Sequence, residues 1–222
     1  MSETSVEFSV PPDVRGYLHR PSKANGDALV LSHGAGSNAQ APLLIATANE
    51  FAAVGFVVLR CDLPYRQTRS YGPPGPGDAA RDRKGLKNAV TAMRKLAGRR
   101  VFLGGHSYGG RQSTMLCAEE PDLVEGLLLL SYPLHPPRKP DQLRTQHLPS
   151  LNTPSLFVEG TRDPFGSIDE MEAAIKLIPA KVELLKVEGA GHDLGFKGRM
   201  GGAELARKVC EAFEEFFGGQ IS

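Results

Sequence analysis

Short apolar runs along the chain alternate with longer stretches in which apolar residues recur at helical spacing. The runs are rich in Val, Leu and Phe and predict buried strands. The predicted strands cover residues 28–32, 56–61, 101–103, 127–130, 156–158 and 182–187. Helices are predicted over residues 42–54, 79–97 and 203–217, from just after Ser107 to about Glu119, and from near Ser167, where Ser167 and Glu170 form a capping-box pattern.

The strand runs are almost continuously apolar rather than alternating. This pattern is typical of a parallel sheet that is covered by helices on both faces. The order of elements, βαβαβαββαβα, therefore predicts an α/β fold with a doubly wound, mostly parallel open sheet and helices on both faces. Ligands bind such sheets beyond the carboxyl ends of the strands, so we look there for chemistry. At this length we expect a single domain over residues 1–222.

Composition narrows the class of protein. The chain has 26 basic and 25 acidic residues and a net charge of +1, which argues against a nucleic-acid or anionic-membrane partner. Its three cysteines show no metal-ligand or CxxC spacing, which favours a reduced, cytoplasmic protein. Residues 1–8 lack the basic and apolar regions of a secretory signal. The most apolar run, residues 127–130, is too short to cross a bilayer.

One predicted strand end carries a candidate nucleophile. Gly105, Ser107 and Gly109 form a G-x-S-x-G pattern between the strand at 101–103 and the helix that follows. A sharp strand-to-helix turn exposes such a serine, and small residues two positions before and after it relieve crowding in the turn. The helix N-terminus offers free N–H groups to an anion formed at the serine. The alternative is a glycine-rich turn with an incidental serine.

The turn that carries Ser107, called the elbow below, and the order of elements resemble those of the α/β-hydrolase family over nearly the whole chain. The compact size and the Gly-Gly-Arg-Gln sequence at 109–112 make the chain similar to the dienelactone-hydrolase-like branch. The chain also resembles a less characterised hydrolase-like group, with which it shares the elbow and a Gly-Thr-Arg-Asp-Pro-Phe-Gly turn at 160–166. Dienelactone hydrolases use a cysteine nucleophile, whereas this chain has Ser107, so the resemblance implies serine hydrolysis more strongly than the dienelactone substrate.

The resemblance also implies partners for the serine in the chain order Ser, acid, His. Asp163 is the first acid directly past a strand after Ser107, and a plain turn aspartate is the alternative. His192 lies in a small-residue loop past the last strand and suits the general base, unless it is a solvated loop residue. His106 precedes the nucleophile, and a packing role is expected for it. The other histidines considered, which have no motif around them, are His19, His135 and His147.

An oxyanion hole is expected at two backbone N–H groups. The first is that of Tyr108, the residue after the nucleophile. The second belongs to the loop after residue 32, where Ser-His-Gly-Ala-Gly resembles the family's HGxG motif. Ala35 is the preferred donor there and Gly36 the fallback. His33 is expected to be a structural hydrogen-bonding residue.

A long segment, residues 62–78, leaves the same sheet edge and is predicted to be structureless. Loops of this length in compact domains are usually functional or disordered. We therefore predict that it forms one wall of the substrate pocket, with Tyr65 supplying a ring and Arg66 and Arg69 meeting an acidic group. A solvated mobile loop is the alternative.

Two further features bear on the substrate. Arg111 lies in the first turn of the nucleophile helix, where a cation opposes the helix dipole. Pairing with a carboxylate such as Asp62 is preferred, and a substrate anion or a surface position are the alternatives. The segment of residues 131–155 is short and rich in proline. It leaves no room for a large cap, which favours small or medium substrates.

These residues predict a serine hydrolase that cleaves carboxylic esters, thioesters or related small acyl compounds through an acyl-enzyme. The catalytic residues are Ser107, Asp163 and His192, and no metal or organic cofactor is expected, since no nucleotide-binding motif occurs. The partner is then a small acyl molecule. The alternatives are a weakly active or inactive hydrolase-like scaffold or interaction protein, and a dienelactone or lactone hydrolase.

Overall fold

A single eight-stranded sheet organises the chain, in the strand order β1-β2-β4-β3-β5-β6-β7-β8. The computed structural model describes residues 5–195 and 202–218. The strands are β1 Val6–Val10, β2 Val14–His19, β3 Ala28–Ser32, β4 Val57–Cys61, β5 Val101–His106, β6 Gly126–Leu130, β7 Ser155–Gly160 and β8 Val182–Val187. The helices are α1 Pro42–Ala53, α2 Pro64–Thr68, α3 Asp78–Arg94, α4 Tyr108–Glu119, α5 Ile168–Ile175 and α6 Gly202–Gly218.

Helices cover both faces of the sheet. On one face α3, α4 and α5 pack against the sheet, and on the other α1 and α6 do so. Successive residues of the central strands serve opposite cores, so that Val30 faces the first layer and Leu31 the second. Phe213 of α6 contacts the rings of Phe51 and Phe102, each at 5.0 Å between centroids. The predicted α/β class and the doubly wound arrangement are confirmed.

The strands from β3 to β8 are parallel, as predicted, but the sequence prediction missed an antiparallel hairpin at the start of the sheet. β1 pairs with β2, and β2 pairs with β4, both antiparallel. β1 lies at the sheet edge, where most of its side chains are exposed or half-buried. An edge strand of this kind needs no continuous apolar run, and the apolar-run criterion therefore passes over it.

Two connections that bear on the site differ in how well they were predicted. Residues 62–78 were expected to be structureless, yet they contain the short helix α2, so that prediction is wrong. Residues 131–154 hold one 3₁₀ turn, Leu148–Ser150, and no cap domain. The capping box of α5 is confirmed, since Ser167 Oγ accepts the Glu170 N–H and Glu170 accepts the Ser167 N–H.

The structure also bears on two expectations drawn from the composition. Each cysteine is a buried free thiol: Cys61, Cys117 and Cys210. Within residues 5–195 and 202–218, no helix is both long and apolar enough to cross a membrane. The prediction about a secretory signal concerns residues 1–8, of which residues 1–4 lie outside the described residues.

Candidate active site

Ser107 lies in the turn between β5 and α4, at the carboxyl edge of the sheet. Its backbone adopts φ 52° and ψ −115°, which is a strained conformation for a residue with a side chain. The Ser107 N–H donates to the carbonyl of Leu130 at 2.8 Å, and the Arg111 N–H donates to the Ser107 carbonyl at 2.9 Å. These bonds hold the turn between two neighbouring strands and the helix, so the position of Ser107 is fixed by the fold.

The two glycines of the G-x-S-x-G pattern allow this turn to close. A Cβ atom at Gly105 would lie 2.5 Å from the Ser32 carbonyl oxygen. A Cβ atom at Gly109 would lie 2.7 Å from the His33 carbonyl oxygen. Both glycines are therefore required because the elbow packs against the end of β3, as the pattern predicts.

Three side chains from distant parts of the chain form one hydrogen-bonded series. The Ser107 hydroxyl lies 2.8 Å from His192 Nε2, and His192 Nδ1 lies 2.7 Å from Asp163 Oδ2. The carboxylate can only accept, so Nδ1 carries the proton and Nε2 is left to accept from the serine. The structure thus brings together all three residues that were predicted to be catalytic.

The turn after β7 positions both the acid and the imidazole. Asp163 is buried, and its Oδ1 accepts the N–H of Phe165 at 2.8 Å. The Phe165 ring stacks on the His192 ring, with centroids 4.0 Å apart and planes 27° apart. Sequence reasoning missed Phe165, although the Asp-Pro-Phe-Gly turn was a signal that this aromatic ring follows the acid at close range.

His106 contacts the main chain of His192. Its Nε2 lies 2.8 Å from the carbonyl oxygen of His192, and the two rings are 5.1 Å apart. Burial lowers the pKa of His106 to about 4, so its ring is neutral at pH 7 and Nε2–H donates to the carbonyl. A packing role was expected for His106, and the structure adds a hydrogen bond through which its ring anchors the loop that carries His192.

We expect the change His106→Phe to lower kcat for an ester about 10-fold or more while KM changes little. The ring volume is kept, but the hydrogen bond to the His192 carbonyl is lost, which lets the imidazole leave its position. Steady-state kinetics on a p-nitrophenyl ester measures this, with His106→Asn as a variant that keeps a side-chain donor. Equal kcat in His106→Phe and the wild type would contradict the anchoring role.

The loop after β3 lies beside the nucleophile. A Cβ atom at Gly34 would be 3.5 Å from the Ser107 Cβ. The His33 ring supports this loop, since Nδ1 lies 2.9 Å from the Gly34 carbonyl and Nε2 accepts the Leu63 N–H at 3.1 Å. Burial lowers the pKa of His33, consistent with a neutral ring that donates once and accepts once. This arrangement matches the structural role expected for His33.

The two expected oxyanion donors belong to segments next to Ser107, namely the start of α4 and the loop after β3. Tyr108 is the first residue of α4, where a helical N–H has no partner within its own helix. Ala35 belongs to the loop beside the serine, and its carbonyl accepts the Tyr65 hydroxyl at 2.7 Å. That bond fixes the peptide that follows Ala35. The use of the Tyr108 and Ala35 N–H groups by an oxyanion stays a prediction, with Gly36 as the alternative donor.

The residues predicted to contact substrate from the segment 62–78 are engaged by the protein itself. Tyr65 is fully buried. Arg66 Nε donates to the Ser37 carbonyl at 2.7 Å and its Nη2 to the Gly72 carbonyl at 2.7 Å. Arg69 pairs with Asp78 at 2.6 Å. Tyr65 and Arg66 thus hold the loop after β3 and the segment 62–78 together. That these three residues contact a substrate stays a prediction.

Asp82 is a site residue that the sequence analysis missed. This buried carboxyl of α3 accepts the Tyr108 hydroxyl at 2.8 Å and the Tyr65 N–H at 3.0 Å. Burial raises its pKa. It therefore ties α2 to the residue after the nucleophile. The available signal was its place four residues before Leu86, in the apolar stripe of the helix.

The preferred pairing of Arg111 with Asp62 is wrong. The Asp62 carboxylate instead accepts the Ala39 N–H at 2.8 Å and lies 3.6 Å from Arg15. Asp62 follows β4, which lies on the far side of β3 from the elbow strand, so the two side chains are separated by the sheet order.

A cleft of about 280 Å³ opens beside the loop after β3. Its lining includes apolar side chains of α1, such as Leu43 and Leu44, together with Gly34 and His106. This volume is at the small end of ligand sites in proteins. Within the described part of the chain, no group of three or more His, Cys, Asp or Glu side chains is placed to hold a metal ion.

The chain belongs to a known family. Residues 25–217 match the family model described as an alpha/beta hydrolase domain, so this protein is a member of the α/β-hydrolase family. That membership confirms the resemblance inferred from the elbow and the order of elements.

Solved structures show the same fold. An alpha-beta serine hydrolase homologue from Coxiella burnetii has a TM-score of 0.74 at 18% identity, covering 96% of this chain and 98% of its own. A dienelactone hydrolase from Anabaena variabilis gives 0.72 at 21% identity, with 97% and 98% covered. Est1E from Butyrivibrio proteoclasticus, solved with ferulic acid, gives 0.72 at 17% identity, with 96% and 99% covered.

Proposed function

We propose that the protein is a serine hydrolase that cleaves carboxylic esters, thioesters or related small acyl compounds through an acyl-enzyme. The observation that carries this proposal is the continuous series from the Ser107 hydroxyl through His192 to Asp163, with contacts of 2.8 and 2.7 Å. A serine needs such a base, and the base needs such an orienting acid, to act as a nucleophile at neutral pH.

In the first half of the reaction, Ser107 Oγ attacks the carbonyl carbon while its proton passes to His192 Nε2. The carbonyl π electrons move to oxygen, and the resulting oxyanion accepts hydrogen bonds from the Tyr108 and Ala35 N–H groups. Collapse of this intermediate breaks the bond to the alcohol or thiol. His192 returns the proton to that leaving group, and the acyl group stays on Ser107.

In the second half, water takes the place of the leaving group. His192 removes a proton from the water as it attacks the acyl carbon, and the same two N–H groups hold the second oxyanion. The bond to Ser107 Oγ then breaks, and His192 gives the proton back to the serine. Throughout, Asp163 accepts from Nδ1 and stabilises the imidazolium that forms in each half.

The surroundings of the triad favour small or medium acyl groups. No cap domain stands between β6 and β7 in residues 131–154, so substrates reach the elbow from an open side. The apolar cleft beside the loop after β3, at about 280 Å³, is suited to a short apolar group of the substrate.

A fluorophosphonate probe tests the proposal directly. We expect one covalent adduct on the wild-type protein, located at Ser107 by peptide mass spectrometry, and none on Ser107→Ala. A panel of p-nitrophenyl esters of graded chain length, with thioester and lactone analogues, then gives the acyl preference. A folded protein that shows neither labelling nor turnover would be a scaffold, and the proposed function would be wrong.

A further inference from the structure

A half-buried arginine of the nucleophile helix has no partner in the mechanism above. Arg111 lies one helical turn after Ser107 and is held by the bond from its N–H to the Ser107 carbonyl. Helical side chains lean toward the helix N-terminus, and the N-terminus of this helix is the elbow. Its Nε is buried and makes no hydrogen bond within the described residues. Such a donor is costly to leave unmet.

A second arginine lies in the connection that follows β6, the next strand of the sheet. Arg144 is half-buried, and its Nη1 donates to the Pro133 carbonyl at 3.1 Å. Its own carbonyl accepts the Tyr132 hydroxyl at 2.9 Å. Tyr132 and Pro133 follow β6, which neighbours β5, so Arg144 is held at the same carboxyl edge as Ser107.

A neutral histidine, His147, connects the segment that carries Arg144 to helix α4, which carries Arg111. His147 Nε2 lies 2.8 Å from Thr114 Oγ1 of α4, and the same hydroxyl donates to the Arg111 carbonyl at 2.8 Å. Burial, together with the nearby charge of Arg111, lowers the pKa of His147 to about 4. Burial and the same charge also lower the pKa of Arg144. At neutral pH the positive charge of this cluster therefore resides on the two guanidinium groups.

No carboxylate balances these charges. Within residues 5–195 and 202–218, neither Arg111 nor Arg144 has an acidic oxygen within 4.0 Å. Two other partly buried arginines do have one, since Arg100 has Asp27 at 2.7 Å and Arg83 has Glu119 at 3.3 Å, whereas the buried Arg60 and Arg66 donate to backbone carbonyls instead. Arg111 lies near enough for its charge to act on both His147 and Arg144. Two like charges in such a partly buried cluster repel each other, and an anion between them relieves the repulsion.

We propose that Arg111 and Arg144 bind an oxyanion group, a carboxylate or a phosphate, carried by the acyl substrate beside Ser107. The inference rests on the proposed function for the identity of the substrate as an acyl compound. A guanidinium presents a planar fork of donors that pairs with two oxygens of such a group. The arginines add no chemical step and select substrates by charge.

Kinetics on matched esters test the proposal. For p-nitrophenyl hemiadipate against p-nitrophenyl heptanoate, we expect the ratio of kcat/KM values to fall about 10- to 100-fold in Arg111→Gln and in Arg144→Gln, because hydrogen bonds to a charged group are lost. Arg111→Lys keeps the charge without the fork and should restore part of the ratio. The control Arg138→Gln removes an exposed arginine from the same segment and should leave the ratio unchanged.

A binding measurement keeps the test independent of turnover. Calorimetric titration of Ser107→Ala with adipate and with inorganic phosphate should show binding of at least one, and the stronger ligand distinguishes a carboxylate from a phosphate substrate. The added change Arg111→Gln should weaken that binding at least tenfold. An unchanged kinetic ratio, or binding of neither anion, overturns the proposal. If neither ester is hydrolysed, the proposed function fails, and the titration alone decides the anion site.

Discussion

Ser107→Ala is expected to lower kcat for a p-nitrophenyl ester by at least about 10⁴-fold. The acyl-enzyme needs an oxygen at this position, and the alanine methyl group offers no nucleophile. The loss of the bond to His192 Nε2, 2.8 Å in length, also leaves the imidazole without the proton it would accept. His192→Ala should cost about as much, because the serine and the base act as one unit.

Steady-state rates, read after active-site titration of the wild type, give the size of this effect. Ser150→Ala is the matched control, since Ser150 is an exposed serine in the 3₁₀ turn after β6. It should retain wild-type kcat and KM. Circular dichroism and the melting temperature establish that each variant is folded. A Ser107→Ala protein with more than a tenth of wild-type activity would show that another residue is the nucleophile.

Asp163→Asn should lower kcat by about 10⁴-fold although the geometry is nearly unchanged. An amide that donates to His192 Nδ1 forces the proton onto Nε2, where it points at Ser107 and blocks acceptance of the serine proton. The bond from the Phe165 N–H, 2.8 Å in length, is preserved when the amide oxygen takes the place of Oδ1. The acid loop should therefore keep its shape.

The NMR resonance of the proton on His192 Nδ1 reports which tautomer the imidazole adopts, independently of the rate of turnover. We expect its low-field resonance in the wild type and its loss in Asp163→Asn. Asp141→Asn, at an exposed position in the segment after β6, is the control and should change neither the resonance nor kcat. A strong loss of kcat with the resonance still present would place the role of Asp163 elsewhere.

Local signals were enough to predict the parallel core and the elbow. The strands 28–32 and 182–187 were predicted with the bounds that the structure shows. The five residues of strand 28–32 are all buried, and such burial on both faces leaves a continuous apolar run in the sequence. The elbow is equally local, since a strained turn between a strand and a helix requires glycines at fixed positions. Ser107 was therefore predictable from a few residues.

Contacts across the sheet edge left no such mark. The bond from His106 to the His192 carbonyl joins residues 86 positions apart, and nothing near either residue indicates it. In the sequence, Asp82 is only a polar residue on an apolar helix face. Its role is evident from the structure, in which the Tyr108 hydroxyl donates to it. The position of Asp163 and His192 past their strands placed them at one edge, whereas their spacing of 2.7 Å follows only from the folded loops.

Charge was the least predictable feature. Arg111 was paired with Asp62 because both were expected at the same edge, but the sheet order puts β3 between the elbow strand and the strand before Asp62. Strand order depends on which crossovers pack best over the whole sheet, and no short stretch of sequence determines it. The residues 62–78 were similarly misjudged, since the burial of Tyr65 depends on helix α3 beneath it.

The elbow contacts His192 through two different groups, its side chain and its main chain. Ser107 reaches the imidazole, while its neighbour His106 reaches the main-chain oxygen of the same residue. A shift of the histidine loop would thus break both attachments at once, so a half-assembled relay has little to hold it in place. A design that moves this site into another scaffold therefore has to transfer His106, Ser107 and the loop that carries His192 together.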